Sequence, residues 1–179
     1  HRKEYLEDLA SLVAINSERM EAKEGMPFGE GAAAGLKKGE EILKKWGMTT
    51  RNYENYCITG DLNDKERAVD ILAHLDVVPA GEGWSVTDPF VMKEQDGRVY
   101  GRGTADDKGP ALCALYAMRA IKELNIPLKK GVRLILGSDE ECGSGDIAYY
   151  FSKEPHAPMS FSPDADFPLI NIEKGGLHS

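Results

Sequence analysis

One histidine and a set of carboxylates recur along the chain in short, glycine-rich settings. They are His74 and Asp76 in AHLD, Asp106 and Asp107 in GRGTADDKG, Glu140 and Glu141 in GSDEE, and Asp164 in SPD. The stretch YGRGTADDKGP, residues 100–110, has the glycines of a phosphate-cradling turn, Gly101 and Gly103. Where a nucleotide loop carries a third glycine or a lysine–hydroxyl pair, it carries two aspartates. Two carboxylates would repel a diphosphate, and no strand–turn–helix nucleotide pattern precedes the turn, so a dinucleotide-binding reading fails. The ligand expected for this turn is a cation.

Carboxylates held close together repel one another, and some stay protonated unless a positive charge intervenes. A divalent ion supplies that charge. Imidazole with carboxylate oxygens suits zinc, with manganese or cobalt as substitutes, better than calcium or magnesium. One carboxylate can bridge two ions about 3.5–4 Å apart, the arrangement of two-metal hydrolases. Asp106 is the best-placed bridge, because its turn fixes it near the centre of the acidic set.

The elements that must position these residues follow from hydrophobic periodicity. Tyr5, Leu6, Leu9, Leu12 and Val13 mark a first helix, and residues 17–31 read as a polar loop. Leu36, Ile42, Leu43 and Trp46 mark a second helix, with Gly47 placed to end it. YCITGDL at 56–62 and AVDILAHLDVV at 68–78 are apolar runs, the second continuous enough for a strand buried on both faces. Residues 79–97 read as loop, and RVYGRG as a brief strand. A third helix runs through Leu112, Leu115, Met118 and Ile121 and stops at Asn125 and Pro127. VRLILGSD at 132–139 is a further buried strand, followed by a helix through Ile147, Tyr150 and Phe151. MSFS at 159–162 and FPLINIE at 167–173 close the sequence.

Strands alternating with helices predict an α/β fold: a layered, mostly parallel sheet with helices on both faces. His74 and Asp76, Asp106, Glu140 and Glu141, and Asp164 then all fall where strands end. That is the edge at which open α/β sheets collect ligands.

Composition narrows the function classes. The 179 residues fit one domain, and 41% apolar content supplies an ordinary core. A net charge of −8 argues against a nucleic-acid or anionic-membrane partner. Three widely spaced cysteines without a CxxC pair indicate neither a disulfide framework nor a zinc finger. No apolar run reaches membrane-span length, and HRKEYLEDL lacks the shape of a signal peptide, so a soluble, cytoplasmic protein is expected. The beginning inside a helical pattern and the end on GGLHS read as cut ends.

HLDVVPAGEGW with DPF, YGRGTADDKGP, GSDEECGSGD and SPDADFPLINIEKG, in that order over about residues 70–175, resemble the co-catalytic zinc peptidase family. Its members include aminoacylases, acetylornithine and succinyl-diaminopimelate deacylases, carnosinase-like dipeptidases and related carboxypeptidases. DVVPAGEGW, ADDKGP and SPDADFP are most similar to its bacterial Xaa-His dipeptidase branch. The resemblance implies a zinc-exopeptidase-like fold and hydrolysis of a peptide bond in dipeptides or related N-acyl amino acids.

It also implies roles for the residues. His74 binds one metal, and Asp76 orients it by accepting its other ring N–H. Asp106 bridges two zinc ions, with manganese or cobalt as alternatives. Glu141 binds the second metal and Asp164 the first. Glu140 is the general base that deprotonates the bridging water and then protonates the leaving amine. A cis peptide bond between Asp106 and Asp107 is implied as well.

The resemblance also places residues 1–179 in the N-terminal portion of a catalytic domain. The lid or dimerisation domain and the C-terminal remainder, including a second metal-binding histidine, are expected to lie beyond them. His178 stands where the insertion should begin and is not promoted to a ligand. Residues 1–179 are expected to be inactive on their own; the alternative is an inactive truncated or metal-free fragment that acts only as a folded or binding module. Substrate side chain, metal identity and oligomeric state are left open.

Plainer readings exist for several positions. His74 in an apolar run reads alone as a hydrogen-bonded core histidine, until Asp76 is counted. Glu140–Glu141 fits a solvated helix start, and Asp164 a turn beside Pro163. Asp107 reads as a helix cap whatever Asp106 does. Lys108 is expected to pair with a carboxylate or face solvent. Cys142 reads as a small residue packed below the metals rather than a nucleophile, and His1 and His156 as surface residues.

Overall fold

The computed structural model describes residues 1–164; the expected strand at 167–173 and the later part of SPDADFPLINIEKG lie outside them. Helix α1 spans Arg2–Val13 and buries Leu9, Leu12 and Val13; α2 spans Glu30–Lys45 and buries Leu36, Ile42 and Leu43. Gly47 follows α2 at φ 77°, the left-handed conformation expected of it. Strand β1 is Thr49–Tyr53, β2 Cys57–Asp61 and β3 Arg67–His74. A short hairpin of β4 (Lys93–Gln95) and β5 (Arg98–Tyr100) precedes α3 (Lys108–Glu123). Then come β6 (Gly131–Gly137), α4 (Gly145–Lys153) and β7 (Met159–Phe161).

The main sheet has the order β1-β2-β6-β3-β7. β3 runs parallel to both β6 and β7, whereas β2 is antiparallel to β1 and to β6. It follows that β1, β6, β3 and β7 share one direction and only β2 opposes it. The mostly parallel sheet read from the sequence is therefore present.

The two apolar strands are covered on both faces. Ile71 and Ala73 of β3 and Leu134 and Leu136 of β6 pack with residues of α1, α2 and α3. The residues between them, Leu72 and Ile135, pack on the opposite face with Cys57, Tyr53 and Tyr150 of α4. Successive side chains of a strand point to opposite faces, so both parities must be apolar here. The parallel register sets Ile71 beside Leu134, Leu72 beside Ile135 and His74 beside Gly137. Both strands thus finish together, and β7 finishes on the same edge.

Two elements were not foreseen. β1 (TTRNY) is a sheet-edge strand exposed at most positions, so it carries no apolar alternation. In the hairpin, Asp96 and Gly97 both adopt positive φ, 53° and 72°, which a two-residue turn of the primed type requires. The exposed KEQ segment before them has no apolar signal.

Candidate metal centre

His74 is the last residue of β3, and its side chain is buried. Its Nδ1 lies 3.1 Å from the backbone oxygen of Asp76 and 3.3 Å from Asp76 Oδ1. Its Nε2 points the other way, toward acids from three separate loops. Asp106 Oδ1 is 3.1 Å from it, Asp164 Oδ2 3.5 Å and Glu140 Oε2 3.8 Å. A Glu141 carboxylate oxygen falls within 4.8 Å of both the His74 and Asp106 donor atoms. Every site residue named from the sequence is therefore brought to one edge of the sheet.

The two candidate ligand groups share His74. One joins it to Asp106 and Glu141; the other joins it to Asp107 and Asp164. Asp107 is a correction to the sequence reading. It occupies the cap position of α3, yet its side chain makes no capping bond. Instead its buried Oδ2 accepts the backbone N–H of His74 at 3.1 Å. The peptide bond between Asp106 and Asp107 is cis.

Hydrogen bonds between side chains and backbone hold the acid-bearing loops to the strand ends. The Asp76 carboxylate accepts the N–H groups of Glu140 (3.3 Å) and Glu141 (3.1 Å) at the start of a short 3₁₀ turn, Glu140–Cys142. Asp146, buried in the first turn of α4, accepts the N–H groups of Ser138 (2.6 Å) and Asp139 (3.0 Å). Asp139 accepts the N–H of Gly145 at 3.0 Å and pairs with Arg19. Within the 17–31 loop, Ser17 Oγ donates to Leu75 O at 2.6 Å, and Glu18 accepts the N–H of Ala80 at 2.9 Å. Three successive residues, Ser17, Glu18 and Arg19, each grip a different part of the site frame. Polarity alone made that stretch look like free loop.

Lys108 is the second correction. It neither meets a carboxylate nor faces solvent. It is fully buried and donates from Nζ to Leu12 O (3.0 Å) and Ile15 O (2.9 Å). Burial lowers its ammonium to about 8, partly offset by the charge of Asp76. A lysine in the first turn of a helix opposes the macrodipole, and that signal was available in the sequence. Cys142 is the third correction: it is exposed, not packed beneath the acids.

The electrostatics of the cluster are one-sided. Burial opposes a charged imidazole, but the Asp76 hydrogen bond and the charges of Asp76, Asp107 and Glu140 outweigh it and push His74 up to about 10. Burial raises Asp107 to about 7. Burial also raises Glu140 and Glu141, and neighbouring carboxylates add to it, Asp164 for Glu140 and Asp106 for Glu141. Among the described residues, no lysine or arginine forms an ion pair with Asp106, Asp107, Glu140, Glu141 or Asp164, and the buried Asp107 Oδ1 has no hydrogen-bond partner. Oxygen acceptors around one imidazole, with a buried oxygen left over, fit a divalent cation. The mixed nitrogen and oxygen set suits zinc, manganese or cobalt.

The sequence matches the model of peptidase family M20/M25/M40 over residues 71–179. A Bacillus subtilis (strain 168) relative, carrying the provisional dipeptidase name YtjP, is 41% identical over 176 residues, 97% of this chain and 38% of its own. The Beta-Ala-Xaa dipeptidase of Lactobacillus delbrueckii subsp. lactis is 43% identical over 173 residues, 95% of this chain and 37% of its own. Among solved structures, human carnosine dipeptidase 1 superposes with a TM-score of 0.78 at 26% identity, over 92% of this chain and 39% of that one. The chain thus spans less than two-fifths of the length of these relatives.

Proposed function

This chain belongs to peptidase family M20/M25/M40, and from that premise we propose that its acidic sheet edge serves metal-dependent hydrolysis of the peptide bond in dipeptides or related N-acyl amino acids. The observation that carries the reading is the convergence on His74 Nε2 of Asp106, Asp164 and Glu140, with no lysine or arginine paired to them among the described residues. The dipeptidase names of two relatives and of one superposing structure support the substrate class.

In this reading His74, Asp106 and Asp164 would hold one ion and Asp106 with Glu141 part of a second, with Asp107 beside the first. Zinc is the first choice, with manganese or cobalt as alternatives. The bound ions would polarise the scissile carbonyl and lower the pKa of a water. Asp76 fixes the ring of His74 and, through the amides of Glu140 and Glu141, the spacing between imidazole and acids. Glu140, beside a ligand but in neither ligand group, accepts the proton of the attacking water and passes it to the leaving amine nitrogen. Residues 1–179 would form the N-terminal portion of the catalytic domain, and the rest of a full-length relative would supply the lid and the remaining ligand of the second ion.

Metal content of the purified protein, together with hydrolysis of a panel of α- and β-alanyl dipeptides before and after chelation, tests this. Bound zinc, manganese or cobalt that H74A loses is the expected result. A protein that takes up none of the three supports instead a metal-free folded or binding module.

A further inference from the structure

Asp106 has little of its own to hold it. Its side chain is 61% exposed, and among the described residues its hydrogen-bond and ion-pair partner is His74 Nε2. Its aim must therefore come from the backbone of the turn that carries it. That turn rests on a lysine. A Cβ placed on Gly103, which adopts φ 87°, would lie 2.8 Å from Lys108 Cδ and 3.2 Å from Cγ, so the backbone lies directly on the lysine stem. The N–H of Gly109 closes the turn by donating to Gly103 O at 3.2 Å. The tip of Lys108 reaches across to the carbonyls of Leu12 and Ile15. These mark the C-terminal end of α1, where the helix dipole favours a cation. Two residues further on, Ser17 is bonded to Leu75 between His74 and Asp76.

We propose that Lys108 is a positioning residue for Asp106: its buried ammonium fastens the 103–109 turn to the end of α1 and so fixes the Asp106 carboxylate relative to His74. The inference rests on the metal reading given above. Tyr5 provides the internal comparison. Its hydroxyl also ties α1 to the start of α3, donating to Gly109 O at 3.1 Å, but it meets the turn at its last residue, whereas the Lys108 stem packs against Gly103.

Zinc affinity, measured by competition with a chromophoric chelator, tests the proposal on wild type, K108M and Y5F, with the metal-free melting temperature as the measure of folding. K108M keeps the stem and loses the donor. It is expected to bind zinc roughly 10-fold to 100-fold more weakly, the range for residues that hold ligands in place, while Y5F keeps wild-type affinity. K108Q, whose amide still donates but reaches one atom less far, carries the same comparison where K108M does not fold. Wild-type affinity in the folded lysine variants overturns the proposal alone, and so does equal weakening by Y5F, which would mark a general effect of loosening α1. A wild-type protein that binds no zinc overturns the metal reading and this inference together.

Discussion

The carboxylate of Asp76 accepts the backbone N–H of Glu141 at 3.1 Å, and its other oxygen lies 3.3 Å from His74 Nδ1. One buried side chain thus sets the distance between the imidazole at the end of β3 and the acids that follow β6. Asparagine keeps the shape but turns one acceptor into a donor facing another N–H. D76N is expected to weaken zinc binding about 10-fold to 100-fold and to cost about 1–3 kcal/mol of stability through the unpaired groups. Chelator competition and urea unfolding of the metal-free protein read the two effects separately.

Glu140 and Glu141 are neighbours in sequence with different assigned tasks, and their glutamine variants should separate. Where the protein turns over a dipeptide, E140Q is expected to lower kcat about 10²–10⁴-fold while zinc affinity holds. E141Q is expected to lose zinc first. An E140Q protein that binds zinc as poorly as E141Q would move Glu140 from base to ligand.

Much of this was legible in the sequence, and the reasons are local. AVDILAHLD and VRLILGSD are apolar at both parities because helices cover both faces, and parallel pairing then brings His74, Glu140 and Glu141 to one edge. What stayed hidden depended on contacts far apart in the chain. The destination of Lys108 is a pair of carbonyls 93 and 96 residues away, which no periodicity encodes. Asp107 looked like a cap because its type and position fit one, but its carboxylate faces His74 instead. The polar stretch at Ser17–Arg19 carried no apolar signal, since its grip on the site is made entirely of hydrogen bonds.

Asp146 gives a pH-dependent expectation. Burial raises its carboxyl from 3.8 to about 6, against hydrogen bonds from the backbone N–H groups of Ile147, Ser138 and Asp139. A carboxyl with a raised folded pKa binds more protons in the folded state between those two values. Its contribution to stability therefore falls as pH rises from about 4 to about 6 and is least above that. D146N removes this dependence and leaves a buried N–H without its acceptor, so it should destabilise the protein by about 1–3 kcal/mol at neutral pH. The deficit should be larger near pH 4, where the wild type has regained the Asp146 contribution. Urea unfolding of both proteins across this range, with a carbon-13 titration of the Asp146 carboxyl, checks the sign and the window.

On the proposed function, this sheet edge holds a divalent cation through His74. An anomalous difference map at the zinc edge, from crystals grown with zinc, tests it most directly. A peak is expected about 2.0–2.2 Å from His74 Nε2 and from a carboxylate oxygen, with Asp106 and Asp164 at the same ion and Glu141 turned toward a second, weaker peak. A map without density at His74, or with zinc bound only to acids elsewhere on the surface, would contradict it.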